Sequence, residues 1–477
     1  MNRLRSSTLD QVNDTVTLPA YNRDNLQSGI VHLGLGAFHR AHQAAYTEQA
    51  IANSGGNWGI IGVSMRSADV SQQLSPQDAL YSLLNEDGLK SQLQVIAAIR
   101  QVLVAPQDES AVATAIALPS IRIVTLTVTE KAYCLAKDGR TLDLNDSGIS
   151  HDLTAPETPN STLGILALGL RERLRGGGAP LTIISCDNLS GNSSLLRSLL
   201  QQYLQQTFPE VIPWMRNSTA FPCSMVDRIV PAMTEPGRQK QQQLLGLRDE
   251  AAVATEPFSQ WIIENSFATD RPDWESAGVQ FVEDIAPFEA IKLGLLNASH
   301  TAIAFCGLLA ELDTVDQVMA DDELSQFIQR LMNEDLMPLL EIPAGFDIAA
   351  YRDKLLQRFA NPRLQHRCDQ IAMDSSEKIS QRWVPALHSA KVPSLQKMLS
   401  TWAYFILFSD RSIDDPRQQE LSKARKSEAA LPQRIEAVLA CTRLAAASEN
   451  ELEVLVIAVQ RHIDTIAKLG LRGLLNA

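Results

Sequence analysis

No two of the six cysteines stand at C-x-x-C spacing: Cys134, Cys186, Cys223, Cys306, Cys368 and Cys441 are scattered through the chain. That scatter offers neither a zinc ligand set nor a disulfide framework, so reduced thiols and no metal are expected. The opening residues, Met1-Asn2-Arg3-Leu4-Arg5-Ser6-Ser7, lead into polar sequence without an apolar h-region, so no secretory signal is read. No apolar run approaches the ~20 residues of a membrane helix. A soluble, cytoplasmic chain without a membrane partner is the expectation. Positive charge is also in deficit, 42 Lys+Arg against 55 Asp+Glu for a net charge of −13. Nucleic acid needs a Lys/Arg footprint to displace phosphate counterions, so it is excluded as a partner in favour of a small molecule.

What is present is an ordinary globular mixture, 45% hydrophobic and 20% charged, over 477 residues. That length exceeds one small core and calls for two domains of roughly 200 residues each. The first part alternates two patterns. Ile30–Gly34, Trp58–Val63, Ile121–Val128 and Pro180–Cys186 are short apolar strand candidates. A helical stretch through Ile51 follows the first, and Leu163–Arg175 repeats Leu and Ile at helical spacing before stopping at Gly176-Gly177-Gly178. Such alternation points to a parallel sheet covered on both faces. The segment Tyr81–Val104 reads as strands inserted in that plan, with turn chemistry at Asn85-Glu86-Asp87-Gly88. From Phe288 onward the pattern is helical almost to the end, with runs such as Ala429–Ala447 and Glu451–Leu469 and breaks at Pro343-Ala344-Gly345, Asn361-Pro362 and Asp415-Pro416. The fold class is therefore α/β: a Rossmann-type, doubly wound dinucleotide-binding domain over 1–287, then a mostly α-helical substrate and catalytic domain over 288–477.

Gly34-Leu35-Gly36-Ala37-Phe38-His39 follows the first strand and opens a helix. Two glycines there permit a tight turn and close approach of backbone N–H groups to a pyrophosphate. The usual third glycine is His39, so the match is partial, and a tight turn without ligand is the competing reading. At the end of the second strand, Asp69 suits the ribose hydroxyls of NAD, whereas Arg66 suits the 2′-phosphate of NADP. Either residue also suits a solvated surface.

A third feature is Lys292-Leu293-Gly294-Leu295-Leu296-Asn297-Ala298-Ser299-His300. On an α-helix at about 100° per residue, Lys292, His300 and Asn297 fall at about 0°, 80° and 140° and can converge on one cavity. Redox chemistry at a carbonyl needs such groups. A lysine desolvated toward neutrality exchanges the proton, an amide N–H steadies the alkoxide, and a histidine holds a neighbouring hydroxyl. The same spacing also suits a surface lysine whose Asn and His neighbours satisfy local backbone groups. Ser185-Cys186-Asp187-Asn188 and Thr127-Val128-Thr129-Glu130-Lys131 end two of the strands and offer Asn188 and Glu130 at a ligand crevice, though both also read as ordinary loops.

Together these motifs resemble the polyol-specific long-chain dehydrogenase/reductase family, to which mannitol 2-dehydrogenases and fructuronate reductases belong. The resemblance runs over nearly the whole chain. It is carried by His32–His42, Thr127–Lys131, Ser185–Asn188, Phe221–Ile229, Lys292–His300 and Gln370-Ile371-Ala372-Met373-Asp374. It implies NAD as cofactor, a sugar acid or polyol as substrate, and a monomer or simple homodimer. By motif position it assigns the catalytic lysine to Lys292, oxyanion donors to Asn188 and Asn297, and the substrate-orienting histidine to His300. It assigns the glutamate near the proton path to Glu130. The cofactor would lie against Gly34, Gly36, Ala37, Phe38, His39, Arg66 and Asp69. Asp227, Arg228 and Lys378 are substrate-side candidates, with a buried Asp227–Arg228 ion pair as the structural alternative.

Thr129–Cys134 and Phe221-Pro222-Cys223 look more like fructuronate reductases, implying D-fructuronate reduction to D-mannonate. A substrate carboxylate would then need a cation from among Arg66, Arg228, Arg367, Lys378 and Arg382. Mannitol 2-dehydrogenase or another polyol dehydrogenase is the alternative. The chain departs from the family pattern at Gly294 (often Arg), Ala298 (often Gly) and Ser375 (often Gly). Those changes bear on substrate identity and leave open an idle NAD-binding sensor.

Overall fold

Aliphatic side chains on both faces of Ile30-Val31-His32-Leu33 leave no solvated side for that strand, and all four residues are buried. The computed structural model describes residues 1–86, 91–136, 138–364, 366–389, 391–446 and 449–477. The chain divides into two units, Met1–Ala286 and Pro287–Ala477.

The strands of the first unit are β1 (Ser28–Leu33), β2 (Gly59–Ser64), β3 (Tyr81–Glu86), β4 (Ser91–Ile96), β5 (Ile99–Val104) and β6 (Ile123–Leu126). They continue with β7 (Leu181–Ser185), β8 (Thr219–Ala220), β9 (Ser224–Asp227), β10 (Val253–Thr255), β11 (Gln260–Glu264) and β12 (Gln280–Val282). One six-stranded sheet runs β5-β2-β1-β6-β7-β8, with every neighbouring pair parallel. Counted along the chain within that sheet, the order is 3-2-1-4-5-6, the doubly wound arrangement whose ligand crevice opens where the order reverses. The reversal falls between β1 and β6, whose register pairs Leu33 with Leu126.

Helices cover both faces, so β2, β6 and β7 are buried along their whole length. Two apolar clusters take up the side chains of the main sheet, one containing Val31, Val63, Leu126 and Ile183, the other Ile30, Ile60, Ile123 and Ile184. Alternate residues of the same strands fall into opposite clusters, as the two-residue period of a strand requires. The helix Thr162–Arg175 begins at Ser161, whose hydroxyl accepts the Gly164 N–H, and ends at Gly176.

The region Tyr81–Val104 divides differently from the sequence expectation. β3 and β4 form an antiparallel hairpin joined by β10, while β5 leaves them to become an edge of the main sheet. β5 is of mixed polarity, which an edge strand tolerates because one side faces no partner. Asp87 and Gly88 of the expected turn lie outside the described residues. The helix expected through Ile51 is two helices, Ala37–Ala41 and Gln43–Ser54, separated at His42, whose φ of −119° and ψ of −89° are not helical.

Among the described residues, the named elements of the second unit are all helices. Its elements include Ala298–Leu309, Ile348–Phe359, Ser375–Arg382, Pro393–Phe408, Leu431–Leu439 and Glu449–Asn476, the last broken at Gly470. Ala447, at the end of one expected helical run, lies outside the described residues. The run Ala286–Leu309 is long and apolar enough to cross a membrane by length and composition, and 78% of its most apolar window is buried within the protein.

Candidate active site

The turn after β1 is shaped by what surrounds it. Gly34 adopts φ +100°, and a β-carbon there would stand 2.1 Å from the Thr127 carbonyl oxygen at the end of β6. Only glycine permits that approach. Gly36 differs: a β-carbon on it would meet nothing nearer than the Gly34 oxygen at 3.8 Å. Space therefore lies in front of Gly36, where the helix Ala37–Ala41 begins and its first N–H groups have no intrahelical partners. Exposed Ala37 and half-buried Phe38 open that helix. These features fit a phosphate group.

His32 holds the turn from below. The Gly34 carbonyl can only accept, so the His32 Nε2–H donates toward it at 3.2 Å, and Nδ1 accepts from the Thr125 hydroxyl at 2.7 Å. The Thr127 hydroxyl donates to the same carbonyl at 2.9 Å. Full burial pushes the His32 imidazole down to about 3. His39 stacks on it with ring centroids 3.4 Å apart and is wholly buried. The His39 ring, in a residue expected against a cofactor, packs beneath the turn.

At the end of β2, Arg66 and Asp69 are both exposed. The Arg66 guanidinium donates to Thr129 Oγ1 at 3.1 Å, and Asp69 accepts from the Ser67 hydroxyl at 2.8 Å. Glu130 opens a short 3₁₀ turn, Glu130–Tyr133, and is exposed, as is Asn188 beyond β7. Asp187 lies between these loops and is buried. Its Oδ1 accepts the Thr129 N–H and its Oδ2 the Tyr133 O–H, each at 2.8 Å. Burial raises its carboxyl above the ordinary range.

The Arg228 guanidinium is engaged within the protein. It donates to the carbonyl oxygens of Ala41 and Glu256 and to Asn85 Oδ1. It staples three segments, and its partners are carbonyl oxygens rather than the Asp227 carboxylate of the expected ion pair. Burial pushes it down to about 10. Asp227 is buried at the end of β9.

In the second unit, Lys292–Asn297 forms a π-helical turn, with the Ala298 N–H reaching back five residues to the Leu293 carbonyl. The α-helical wheel drawn from sequence therefore does not apply across Lys292 and Asn297. Wide turns of this kind concentrate at functional sites. Lys292 is half-buried at its start. Asn297, 8% exposed, closes it, and its Nδ2 finds no hydrogen-bond partner among the described residues. An unpaired buried amide donor costs about 1–3 kcal/mol, so its retention suits a donor reserved for a ligand.

His300 follows one turn later. Its ring stacks on Phe359, centroids 5.3 Å apart, beside His366 at 4.8 Å, and its buried Nε2 also lacks a partner among the described residues. Burial first, then the charges of His366, Arg382, Arg358 and Lys378, holds its pKa well below the ordinary value. His300 is thus a neutral imidazole in an electropositive setting.

Lys378 and Arg382 stand on the helix Ser375–Arg382. Lys378 Nζ donates to the Ile371 carbonyl at 3.0 Å, and Arg382 donates to Thr301 Oγ1 at 2.7 Å. Asp415 fixes the start of that helix, accepting from Ser375 Oγ, the Ser376 N–H and Ser376 Oγ at 3.0, 2.8 and 2.6 Å. Ser375 also accepts the Trp402 indole N–H, so its hydroxyl has a structural use. The space beside Gly294 is taken by Leu340, whose Cδ2 would lie 2.8 Å from a β-carbon there. Arg367 is exposed and paired with Asp369. Among the described residues, no three His, Cys, Asp or Glu side chains gather as a metal-binding group.

Sequence reasoning missed His366, Phe359, Arg358 and Asp415. Their contacts to the Lys292–His300 region and to the Ser375–Arg382 helix cross long stretches of chain, and no local spacing marks them.

The sequence profile of the mannitol dehydrogenase Rossmann domain matches residues 28–276, and that of the mannitol dehydrogenase C-terminal domain matches residues 284–466. The chain is 40% identical over 389 residues to the uncharacterized oxidoreductase YeiQ of Escherichia coli (strain K12), covering 81% of this chain and 79% of that protein. It is 38% identical over 380 residues to the D-mannonate oxidoreductase of the same organism, covering 79% and 78%. Its structure is similar to that of Pseudomonas fluorescens mannitol 2-dehydrogenase in ternary complex with NAD and D-mannitol, with a TM-score of 0.87 and 31% identity over 99% of both chains. The chain belongs to the mannitol dehydrogenase family of oxidoreductases.

Proposed function

We propose that this enzyme reduces the keto group of a hexuronate, D-fructuronate, to give D-mannonate, with NADH as the reductant. The observation that carries the reading is the unpaired Asn297 Nδ2 within three residues of a neutral, unpaired His300 Nε2, on a helix whose π turn begins at Lys292. NADH, when bound, supplies a hydride to the carbonyl carbon. Lys292 gives the balancing proton to the carbonyl oxygen, and solvent restores it. Asn297 donates to that oxygen as charge builds on it. His300, neutral and held by Phe359, takes a neighbouring substrate hydroxyl. In the reverse direction Lys292 accepts the alcohol proton.

Roles for Asn188, a second oxyanion donor, and Glu130, a carboxylate on the proton path, follow from family resemblance. Gly34, Gly36, Ala37 and Phe38 seat the pyrophosphate, and Asp69 takes the ribose hydroxyls. Three cations around His300 favour an acid over a neutral hexitol, with Lys378 and Arg382 the candidates for its carboxylate. Similarity to D-mannonate oxidoreductase supports the same choice. A second reading, hexitol oxidation, draws on the similarity to the mannitol 2-dehydrogenase structure. Nicotinamide absorbance, followed with D-fructuronate, D-fructose, D-mannonate and D-mannitol, decides. Turnover should be fastest with D-fructuronate and NADH; faster turnover of D-mannitol or D-fructose would overturn the hexuronate assignment. Reduced thiols and a cytoplasmic setting accompany this proposal.

A further inference from the structure

We propose that Asp187 is a positioning residue which, through its two carboxylate oxygens, sets the loop bearing Glu130 against the loop bearing Asn188. The assignment rests on the roles proposed above for those two residues. β6 and β7 pair in parallel, Leu126 opposite Ser185, so the two loops leave neighbouring strand ends. Asp187 is fixed in its own loop: buried Asn192 donates from Nδ2 to the Asp187 carbonyl at 3.0 Å and to the Ser224 carbonyl at 2.8 Å. From that anchor one oxygen takes the Thr129 N–H at the start of the Glu130 turn, and the other takes the Tyr133 O–H at its end. Tyr133 is itself wholly buried, its hydroxyl 2.5 Å from Ser185 Oγ.

The conformation so held is one the chain would not keep unaided. Thr129 is β-branched yet sits at φ +74°, and Cys134, closing the turn, sits at φ +49°. Residues strained in this way persist only where surrounding contacts over-determine them, and they gather at functional sites. A charged acceptor gives the Thr129 N–H a stronger bond than a neutral one. Releasing that N–H lets Thr129 relax toward an extended conformation, which redirects Glu130, the next residue. A carboxylate that merely stabilised the fold could hold the same loop in a relaxed conformation. Here both strained ends and both oxygens bracket the one exposed acid.

The test uses full-length enzyme and three readouts: NADH oxidation with D-fructuronate, NADH binding by fluorescence, and hydrogen exchange of the 127–134 segment. Asp187→Ala should lower kcat about tenfold or more, with NADH affinity within about twofold of the parent. Exchange in the segment should rise. Asp187→Asn, which keeps an acceptor for Thr129, should restore most of kcat. The double variant Asp187→Ala/Glu130→Gln should be no slower than the slower single variant, because both act on one group. Multiplying effects, or unchanged exchange in Asp187→Ala, would overturn the proposal. Should Asp187→Ala fail to fold, Tyr133→Phe, which removes the Oδ2 partner together with the bond to Ser185 Oγ, must show the same non-additivity with Glu130→Gln. If the parent enzyme does not oxidise NADH with D-fructuronate, the substrate reading fails, and the exchange measurement alone decides the role of Asp187.

Discussion

The Thr127 carbonyl oxygen stands where Gly34 could not carry a β-carbon, 2.1 Å from its ideal position, whereas Gly36 two residues later faces open space. The two glycines of the turn therefore do different work, one for the fold and one for whatever approaches the turn. Gly34→Ala should destabilise the protein by about 2 kcal/mol or more, since backbone must move and φ +100° must be abandoned. Gly36→Ala should cost no more than about 1 kcal/mol, the difference between Gly and Ala at a helix cap. It should nevertheless weaken NADH binding about tenfold or more, because its methyl group enters the approach to the pyrophosphate. Urea unfolding and NADH fluorescence titration separate the two effects; equal losses of stability would contradict the division.

Lys292 and Asn297 are expected to part company with stability in the same manner. Lys292→Ala should lower kcat by about 10²–10⁴ with NADH binding retained, the usual worth of a positioned acid/base. Asn297→Ala should lower kcat by about 10²–10³, as loss of one oxyanion donor does. Because its Nδ2 has no partner among the described residues, that substitution should change unfolding free energy by less than about 1 kcal/mol. Steady-state kinetics beside chemical denaturation measure both, and near-normal turnover by Lys292→Ala would defeat the mechanism.

How much of this was legible in the sequence depends on the range of the contacts involved. β1, β2, β6 and β7 were visible because strands buried on both faces read as short apolar runs, and the glycine turn because its chemistry is local. β5 was misplaced because membership of a sheet is decided by partners far along the chain. The π turn at Lys292 escaped a wheel drawn at one fixed angle. His39 and Arg228 were read as ligand-facing because polar residues inside a motif suggest function. Instead, one packs on His32 and the other binds the backbone carbonyls of Ala41 and Glu256 and the Asn85 side chain. Asp187 was in view as half of an Asp-Asn turn pair, but its bonds to Thr129 and Tyr133 exist only once two strands are side by side.

Cofactor choice rests on the end of β2. Asp69, exposed there with its carboxylate oriented by Ser67, should favour ribose hydroxyls and repel a 2′-phosphate. KM for NADH should be lower than for NADPH, and Asp69→Ala should narrow the ratio by about tenfold, the loss of one discriminating contact. Arg66 supplies the opposing pull, although its guanidinium already reaches Thr129. Initial rates with the two reduced cofactors are the measurement. A lower KM for NADPH in the parent enzyme would reverse the assignment.

His32 ties the cofactor turn to acid stability. In the folded chain burial pushes its imidazole down to about 3, against the ordinary 6.5. The unfolded chain therefore takes up a proton below pH 6.5 that the folded chain refuses until about pH 3. A histidine with a depressed folded pKa contributes stability fully above the unfolded pKa and loses it as pH falls, here by about 1.4 kcal/mol per pH unit. Other buried groups act too, Glu48 with the opposite sign because its carboxyl is pushed up to about 7. Comparing the parent with His32→Asn cancels them. The variant should be less stable at pH 7, having lost the Thr125 and Gly34 bonds. The gap should then narrow by about 2 kcal/mol between pH 6.5 and 5, since asparagine has no proton to take up. Denaturant unfolding curves across that range test the account, and a gap that stayed constant with pH would show that His32 carries its proton in the folded chain.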